Sequence, residues 1–202
     1  MIDNIELIKP LLNFSDPEDF YMLYVFKRKK DLSEDEKAKS NHQSVRTIKT
    51  YHIESIEHLE NRYEEIKQLC EMFKARAYIH VQKQNHRDVS LNMMIALAER
   101  IRNSQHRQQN LFDSVVGQLK THEKRWIVDI DTKDDTELNA VKFAINKFCR
   151  PEREKIDAVI PTKSGYHLIT ERFDVKEFAK HFPEIDIQKK NPTLLYFPTS
   201  LT

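Results

Sequence analysis

The chain has 202 residues, 39% of them hydrophobic, which is enough for one sizeable core or two small lobes packed together. Its 33 basic and 32 acidic residues leave a net charge of +1, so the overall charge gives no sign of an extended nucleic-acid binder. The two cysteines, Cys70 and Cys149, exclude a four-cysteine zinc site and argue against a secreted disulfide scaffold. No apolar run reaches the ~18 residues that span a bilayer, so we expect an intracellular protein without a membrane partner.

The first half of the chain alternates strand and helix patterns. Residues 19–30 are rich in β-branched and aromatic side chains, and residues 46–53 alternate in the manner of a strand, which predicts a hairpin. The polar segment between them, residues 31–44, is predicted to be an exposed connection. Apolar residues at spacings of three and four then predict a helix from Ile56. A strand is predicted over 76–81, followed by helices over 89–101 and 111–119.

The second half is richer in strands. Asp134 or Asp135 is predicted to cap a helix whose apolar face runs from Leu138 to Phe148. A short helix is expected near residues 175–181. Strands are predicted over 125–131, 157–162, 166–173, 184–188 and 193–198. This order favours an α+β fold with antiparallel neighbours over a doubly wound parallel sheet.

The strand RWIVDID carries the first group of chemical interest. Alternation sends Trp126, Val128 and Ile130 to one face, and Ile127, Asp129 and Asp131 to the other. Two carboxylates side by side disfavour joint ionisation unless a cation lies between them, so this pair is a natural ligand for a hard metal ion. Taken alone, such a pair is more often an exposed strand end or a helix-capping cluster than a metal site.

The segment PTKSGYHLIT carries the second group. A turn with Gly165 leads into a strand whose second residue is His167, and Lys163 and Ser164 add a positive charge and a hydroxyl. Glycine in a turn permits close approach of the backbone to a phosphate, so the combination suits a nucleoside triphosphate. In isolation His167 also fits a core or strand-surface histidine.

Asp186, in EIDIQ, is the third candidate. Alternation buries Ile185 and Ile187 and points Asp186 away from them, where a third carboxylate would complete a metal site. An ordinary exposed strand aspartate gives the same pattern.

The order and spacing of the three groups resemble the signature motifs of the archaeo-eukaryotic primase superfamily. A strand ending in Asp-x-Asp, then Ser-x-x-His entering a strand, then a strand aspartate is similar to the catalytic core of small phage and plasmid primase-polymerases. The strand that leads to the proline and serine of Phe197-Pro198-Thr199-Ser200 adds to the likeness. The resemblance covers residues 125–200, and the first 120 residues show only compatible secondary structure.

The resemblance implies a single catalytic core over residues 1–202, with an N-terminal α/β lobe (1–120) packed against an RRM-like, motif-bearing lobe (121–202). It implies that Asp129, Asp131 and Asp186 bind Mg²⁺ or Mn²⁺. It also implies that His167, with Lys163, Ser164 and Gly165, binds the triphosphate of an incoming NTP or dNTP. The expected reaction is template-dependent addition of nucleotides to a 3′ end by two-metal catalysis, with a virus- or plasmid-encoded replication protein as the plausible setting.

The expected partner is a single-stranded or primed nucleic-acid template. Candidates for a basic track along its phosphates are the run Lys27 to Lys30 and the pair Lys189 and Lys190, although both clusters are also typical of a solvated face. Because the chain ends at Thr202, directly after the third motif, a replication partner is expected to supply a helicase or a C-terminal primase domain. His80, on a predicted strand, is interpreted as structural or as reaching the cleft.

Two alternatives remain open on the sequence. A replication-accessory module with the same fold would bind nucleic acid without turnover, although retention of all three acids argues against it because an unneutralised carboxylate cluster is costly. A metal-dependent nuclease would also use three carboxylates and a histidine. The Lys, Ser and Gly before His167 favour a bound triphosphate instead.

Overall fold

The computed structural model describes residues 1–28, 31–32, 45–119 and 124–199. The strands in these ranges are β1 (Ile2–Asp3), β2 (Asp19–Arg28), β3 (Val45–Ile53), β4 (Arg76–Ile79), β5 (Gln84–Asn85), β6 (Trp126–Ile130), β7 (Ile156–Pro161), β8 (Tyr166–Thr170), β9 (Asp186–Gln188) and β10 (Thr193–Phe197). The helices are α1 (Ile5–Ile8), α2 (Ile56–Phe73), α3 (His86–Arg102), α4 (Leu111–Gln118), α5 (Asp135–Phe143) and α6 (Val175–His181). A 3₁₀ turn follows α1 at Lys9–Leu11, and a π-helical turn follows α5 at Ala144–Phe148.

The fold is α+β, with antiparallel strand pairs throughout both sheets of the described chain. The first sheet has the order β1-β10-β4-β2-β3, with β5 beside β2. The pairing of β2 with β3 confirms the predicted hairpin. Most of the connection predicted over residues 31–44 lies outside the described residues, as do Lys29, Lys30 and Ser200.

The second sheet has the order β7-β8-β6-β9, built from a β-α-β-β-α-β segment in which α5 follows β6 and α6 follows β8. Val128, Ile130 and Leu168 pack against Val141 of α5 and Phe178 of α6. Both helices therefore cover one face of this sheet, as the alternation of Val128 and Ile130 predicts.

Side-chain caps explain where the longer helices begin. Ser55 accepts a hydrogen bond from the His58 amide at the start of α2, and Asn85 accepts one from the Arg87 amide at the start of α3. Asp134 accepts one from the Thr136 amide, which decides between the two predicted caps of α5 in favour of Asp134.

One core joins the two sheets. Ile127, Ile160 and Ile169 of the second sheet belong to the same buried cluster as Leu23 and Leu195 of the first. In addition, β10 lies between β1 and β4 in the first sheet. A lobe boundary near residue 120 would instead place β10 with the strands of the second sheet. The predicted lobes therefore share a sheet and a core. Next to this core, residues of both sheets line a polar cleft.

Among the labelled helices and strands of the described residues, three have no counterpart in the sequence prediction: β1, α1 and β5. Each has two to four residues, too few for a periodic pattern to register. Across the described ranges, no helix is both long enough and apolar enough to cross a membrane.

Candidate active site

The three sequence motifs meet on one face of the second sheet. Asp129 of β6 lies directly opposite His167 of β8 on one side and directly opposite Asp186 of β9 on the other. Directly paired residues of antiparallel strands project to the same face, with Cβ atoms roughly 5 Å apart. The register therefore brings together an aspartate, a histidine and a second aspartate that are separated by up to 57 positions in the sequence.

Asp131 follows β6 by one residue and is exposed, as is Asp186, whereas Asp129 is half-buried. Burial and the nearby charge of Asp131 raise the pKa of the Asp129 carboxyl, with a further contribution from Asp186. The Arg28 guanidinium and a hydrogen bond from Gln188 Nε2 to Asp129 Oδ2 (3.1 Å) oppose this rise in pKa. The site thus concentrates negative charge that a bound cation would stabilise.

His167 is buried beside these carboxylates, with 7% of its surface exposed. Burial, together with the charge of Arg28, lowers the pKa of its imidazole to about 4, so the ring is neutral at pH 7. Its Nε2 lies 3.5 Å from Asp129 Oδ1, and its Nδ1 lies 2.9 Å from Thr193 Oγ1. Because an ionised carboxylate only accepts, the arrangement favours a proton on Nε2 and a Thr193 hydroxyl that donates to Nδ1.

The turn before β8 is held by its own hydrogen bonds. The Gly165 amide donates to Thr162 Oγ1 (3.0 Å), and the Thr162 amide donates to the Gly165 carbonyl (2.8 Å). An added Cβ at Gly165 would lie 1.9 Å from the Ile130 carbonyl oxygen and 2.7 Å from the Thr132 amide nitrogen. Glycine is therefore required for close packing against the end of β6, and its amide is already used within the turn.

Lys163 and Ser164 of the same turn are exposed and line the cleft next to Asp129 and His167. The Lys163 ammonium lies 5.2 Å from the centre of the Phe197 ring. Contacts to a phosphate from this turn would therefore come from the side chains of Lys163 and Ser164, whereas Gly165 positions them.

The opposite wall of the cleft comes from the first sheet: Arg28 of β2, Arg76 and Tyr78 of β4, and Leu194 of β10. The Arg28 guanidinium lies 5.5 Å from the centre of the Tyr78 ring, which stacks on Phe26 at 4.8 Å. The sequence interpretation named Arg28 as part of a template track, but nothing in the pattern of β4 distinguishes Arg76 or Tyr78. Strand pairing in the first sheet, together with the packing of that sheet against the second, places them beside Asp129.

Arg76 is a buried cation in this wall. Its Nη2 lies 2.6 Å from Asp31 Oδ1, with 5% and 8% of the two side chains exposed, and its guanidinium packs over the Phe197 ring at 4.8 Å. Among the described residues, no partner binds Arg76 Nε or Asp31 Oδ2. A buried pair with unsatisfied polar atoms is costly, and such a group is a common feature of functional sites.

Donor chemistry at the site fits a divalent metal ion, because Asp129, Asp131 and Asp186 offer the carboxylate oxygens that Mg²⁺ and Mn²⁺ prefer. The described residues nevertheless contain no ready-made group of three metal-ligating side chains. The exposed carboxylates of Asp131 and Asp186 would have to turn toward Asp129 to share an ion.

The other predicted basic residues divide between the core and the surface. Lys27 is 9% exposed and does not line the cleft. Lys189 lies over the Trp126 ring at 5.1 Å, and Lys190 donates to the Gly117 carbonyl. These two lysines directly follow β9, which carries Asp186.

No protein-family model, curated protein or solved structure matches the chain. The resemblance of the three motifs to the primase superfamily therefore stays a prediction.

Proposed function

We propose that the protein is a metal-dependent nucleotidyltransferase of the primase-polymerase type, which adds nucleotides from NTP or dNTP to a nucleic-acid 3′ end on a template. The observation that carries the proposal is the register that pairs Asp129 with both His167 and Asp186. The β-α-β-β-α-β order of the second sheet is also the order expected of an RRM-like unit.

The reaction is in-line attack of a 3′-hydroxyl on the α-phosphate of the incoming nucleotide, in which the new P–O bond replaces the bond to pyrophosphate and the hydroxyl proton is released to solvent. Asp129, Asp131 and Asp186 hold divalent metal, which when bound increases the acidity of the attacking hydroxyl and offsets charge on the leaving group. Lys163, Ser164 and Arg28 line the cleft and bind the triphosphate oxygens.

His167 supports this reaction as a neutral donor. Its low pKa keeps the ring uncharged at pH 7, and the Thr193 hydroxyl fixes its orientation. The Nε2 proton faces the cleft beside Asp129 and donates to a phosphate oxygen when the triphosphate is bound.

Primer extension tests the proposal directly. The assay supplies a labelled primer on a template with Mg²⁺ or Mn²⁺, and we expect the wild type to extend the primer. The double variant Asp129→Asn/Asp131→Asn should extend it at least about a hundredfold more slowly, because it removes the charge of two metal ligands. The control is Asp88→Asn, an exposed acid in the first turn of α3 that does not line the cleft. Circular dichroism melts establish that all variants are folded.

The other outcomes separate the competing functions. Release of nucleotides from labelled DNA in place of extension makes the protein a nuclease. If the folded wild type binds oligonucleotides but neither extends a primer nor cleaves DNA with Mg²⁺ or with Mn²⁺, the protein is an accessory module. Products from unprimed template make it a primase.

A further inference from the structure

A second cavity, of about 200 Å³, adjoins the cleft and contains none of the acidic triad. Met22 and Tyr24 of β2 and His80, just after β4, form one side of it, and α4 covers it with Val116 and Asp113. This volume is below the roughly 300–1,000 Å³ of pockets for drug-sized ligands. The cavity therefore suits a single ring system better than a complete nucleoside triphosphate.

The cavity and the cleft open on the same face of the first sheet. Tyr24, in the cavity wall, lies directly opposite Tyr78, in the cleft wall, in the pairing of β2 with β4. Directly opposite side chains have Cβ atoms roughly 5 Å apart. Neighbouring units of one bound strand could thus occupy the two places together.

Polar groups in the cavity are arranged for a ring that both donates and accepts hydrogen bonds. No described residue hydrogen-bonds the His80 ring nitrogens, and burial lowers the pKa of this imidazole to about 4, so it is neutral and retains one acceptor nitrogen at pH 7. Asp113 and Gln84 add a carboxylate and an amide. The Tyr24 and His80 rings are in T-shaped contact, with centroids 5.7 Å apart, so aromatic side chains form this side of the cavity.

We propose that this cavity binds a nucleobase with an exocyclic amino group, such as adenine or cytosine, next to the reacting nucleotide. The Asp113 carboxylate accepts from the amino group, His80 and Gln84 bind the ring edge, and the apolar side chains of Met22 and Val116 contact the ring. Lys190, whose ammonium binds the Gly117 carbonyl at the cavity wall, supplies positive charge for the attached phosphate. The inference rests on the proposed function, which identifies the bound strand as nucleic acid. The contacts in the cavity, however, involve only the base.

Asp113 provides the test, because it is an exposed side chain of the cavity wall in the first turn of α4. Asp113→Ala removes the carboxylate that accepts from the amino group. Asp88→Ala is the matched control, because it removes the same charge from the first turn of α3, and Asp88 does not line the cavity. His80→Leu is a second variant, which removes the ring nitrogens but retains an apolar side chain.

Binding is measured by fluorescence anisotropy with single-stranded oligo-dA and oligo-dT, and by calorimetry with AMP and TMP, all in EDTA so that no turnover occurs. We expect the wild type and Asp88→Ala to bind adenine-containing ligands about tenfold more tightly than thymine-containing ones, a difference typical of one well-held base. We expect Asp113→Ala and His80→Leu to lose that preference.

Binding of AMP alone identifies a free nucleotide as the ligand, whereas binding of oligonucleotide only identifies a base of the strand. A wild type without base preference, or a preference that survives both Asp113→Ala and His80→Leu, overturns the inference. The binding assay contains no metal, so its result does not depend on turnover. If primer extension depends on Asp129 but the wild type shows no base preference in the binding assay, this inference alone fails. Base binding without extension would remove the proposed function alone.

Discussion

At the scale of single residues, the two glycines of the chain have opposite roles. Gly165 is packed against the Ile130 and Thr132 backbone at the end of β6, whereas Gly117 on α4 faces open space. The first glycine is fixed by a close approach of two backbone segments, and the second has no steric requirement. Their substitution by alanine therefore separates packing from helix propensity.

Gly165→Ala should reduce the free energy of unfolding by about 2 kcal/mol or more, because its methyl group would collide with backbone oxygen atoms that cannot move independently. Gly117→Ala should instead increase it by up to about 1 kcal/mol, since alanine is the better helix former. Urea denaturation measures both. Equal stability of wild type and Gly165→Ala would contradict the close packing of the turn against β6.

His80 makes stability depend on pH. In the unfolded chain its imidazole takes up a proton below the ordinary pKa of 6.5, but in the folded protein burial holds the pKa near 4. Between these values the unfolded state binds more protons, so stability decreases as pH falls from about 6.5 to about 4, by at most about 3 kcal/mol for this group. Above pH 6.5 its contribution is constant.

The measurement is the difference in unfolding free energy between wild type and His80→Leu across this pH range. The difference should change steadily between pH 6.5 and 4 and stay flat from pH 7 to 8. A difference that is the same at every pH would show that His80 ionises alike in both states.

At the scale of elements, the end of the helix formed by α5 and its π-helical turn depends on one buried lysine. Lys155 is 1% exposed, and its ammonium lies within hydrogen-bond distance of the carbonyl oxygens of Asn146, Cys149, Pro151 and Arg153. Helix C-termini leave carbonyls unsatisfied, and this cation binds those of Asn146 and Cys149 together with two carbonyls of the segment that follows. It thereby fixes the segment that leads into β7, the strand beside β8.

Lys155→Met retains most of the apolar stem but removes the donor, and should reduce the free energy of unfolding by about 2 kcal/mol or more because buried carbonyls lose their partner. Lys176→Met, at an exposed position of α6, is the matched control and should change it by less than about 0.5 kcal/mol. Chemical denaturation of the three proteins compares them. Similar losses in both variants would mean that the carbonyls around Lys155 find water instead.

At the scale of the whole molecule, the two sheets are tied by hydrogen bonds as well as by the shared core. The Asn4 amide donates to the Pro161 carbonyl of β7 and to the Leu194 carbonyl of β10, each at 2.9 Å, and Asn4 is 2% exposed. One side chain thus links the second sheet to the first on the side where Leu194 reaches the cleft. We expect the described sheets to unfold as one unit.

Thermal unfolding followed by fluorescence of Trp126, the single tryptophan of the chain, and by far-ultraviolet circular dichroism should give coincident transitions. Asn4→Ala should lower both midpoint temperatures together. The free energy of unfolding should fall by roughly 1–3 kcal/mol, because two buried carbonyls lose their donor. Asn139→Ala, an exposed position on α5, should not lower either. Two separate transitions would mean that the sheets unfold independently.

The sequence alone determined the long elements and the faces of their strands. Periodicity predicted α2 and the β2–β3 hairpin, and alternation placed Asp129 on the face opposite Val128 and Ile130, because both patterns depend on neighbours within one segment. Which strands pair depends on contacts far apart in the chain. Only the tertiary structure decided that His167 and Asp186 flank Asp129, that β10 belongs to the first sheet, and that Arg76 and Tyr78 form the opposite wall of the cleft. These placements are set by strand register and packing between sheets, which leave no periodic signal in the local sequence.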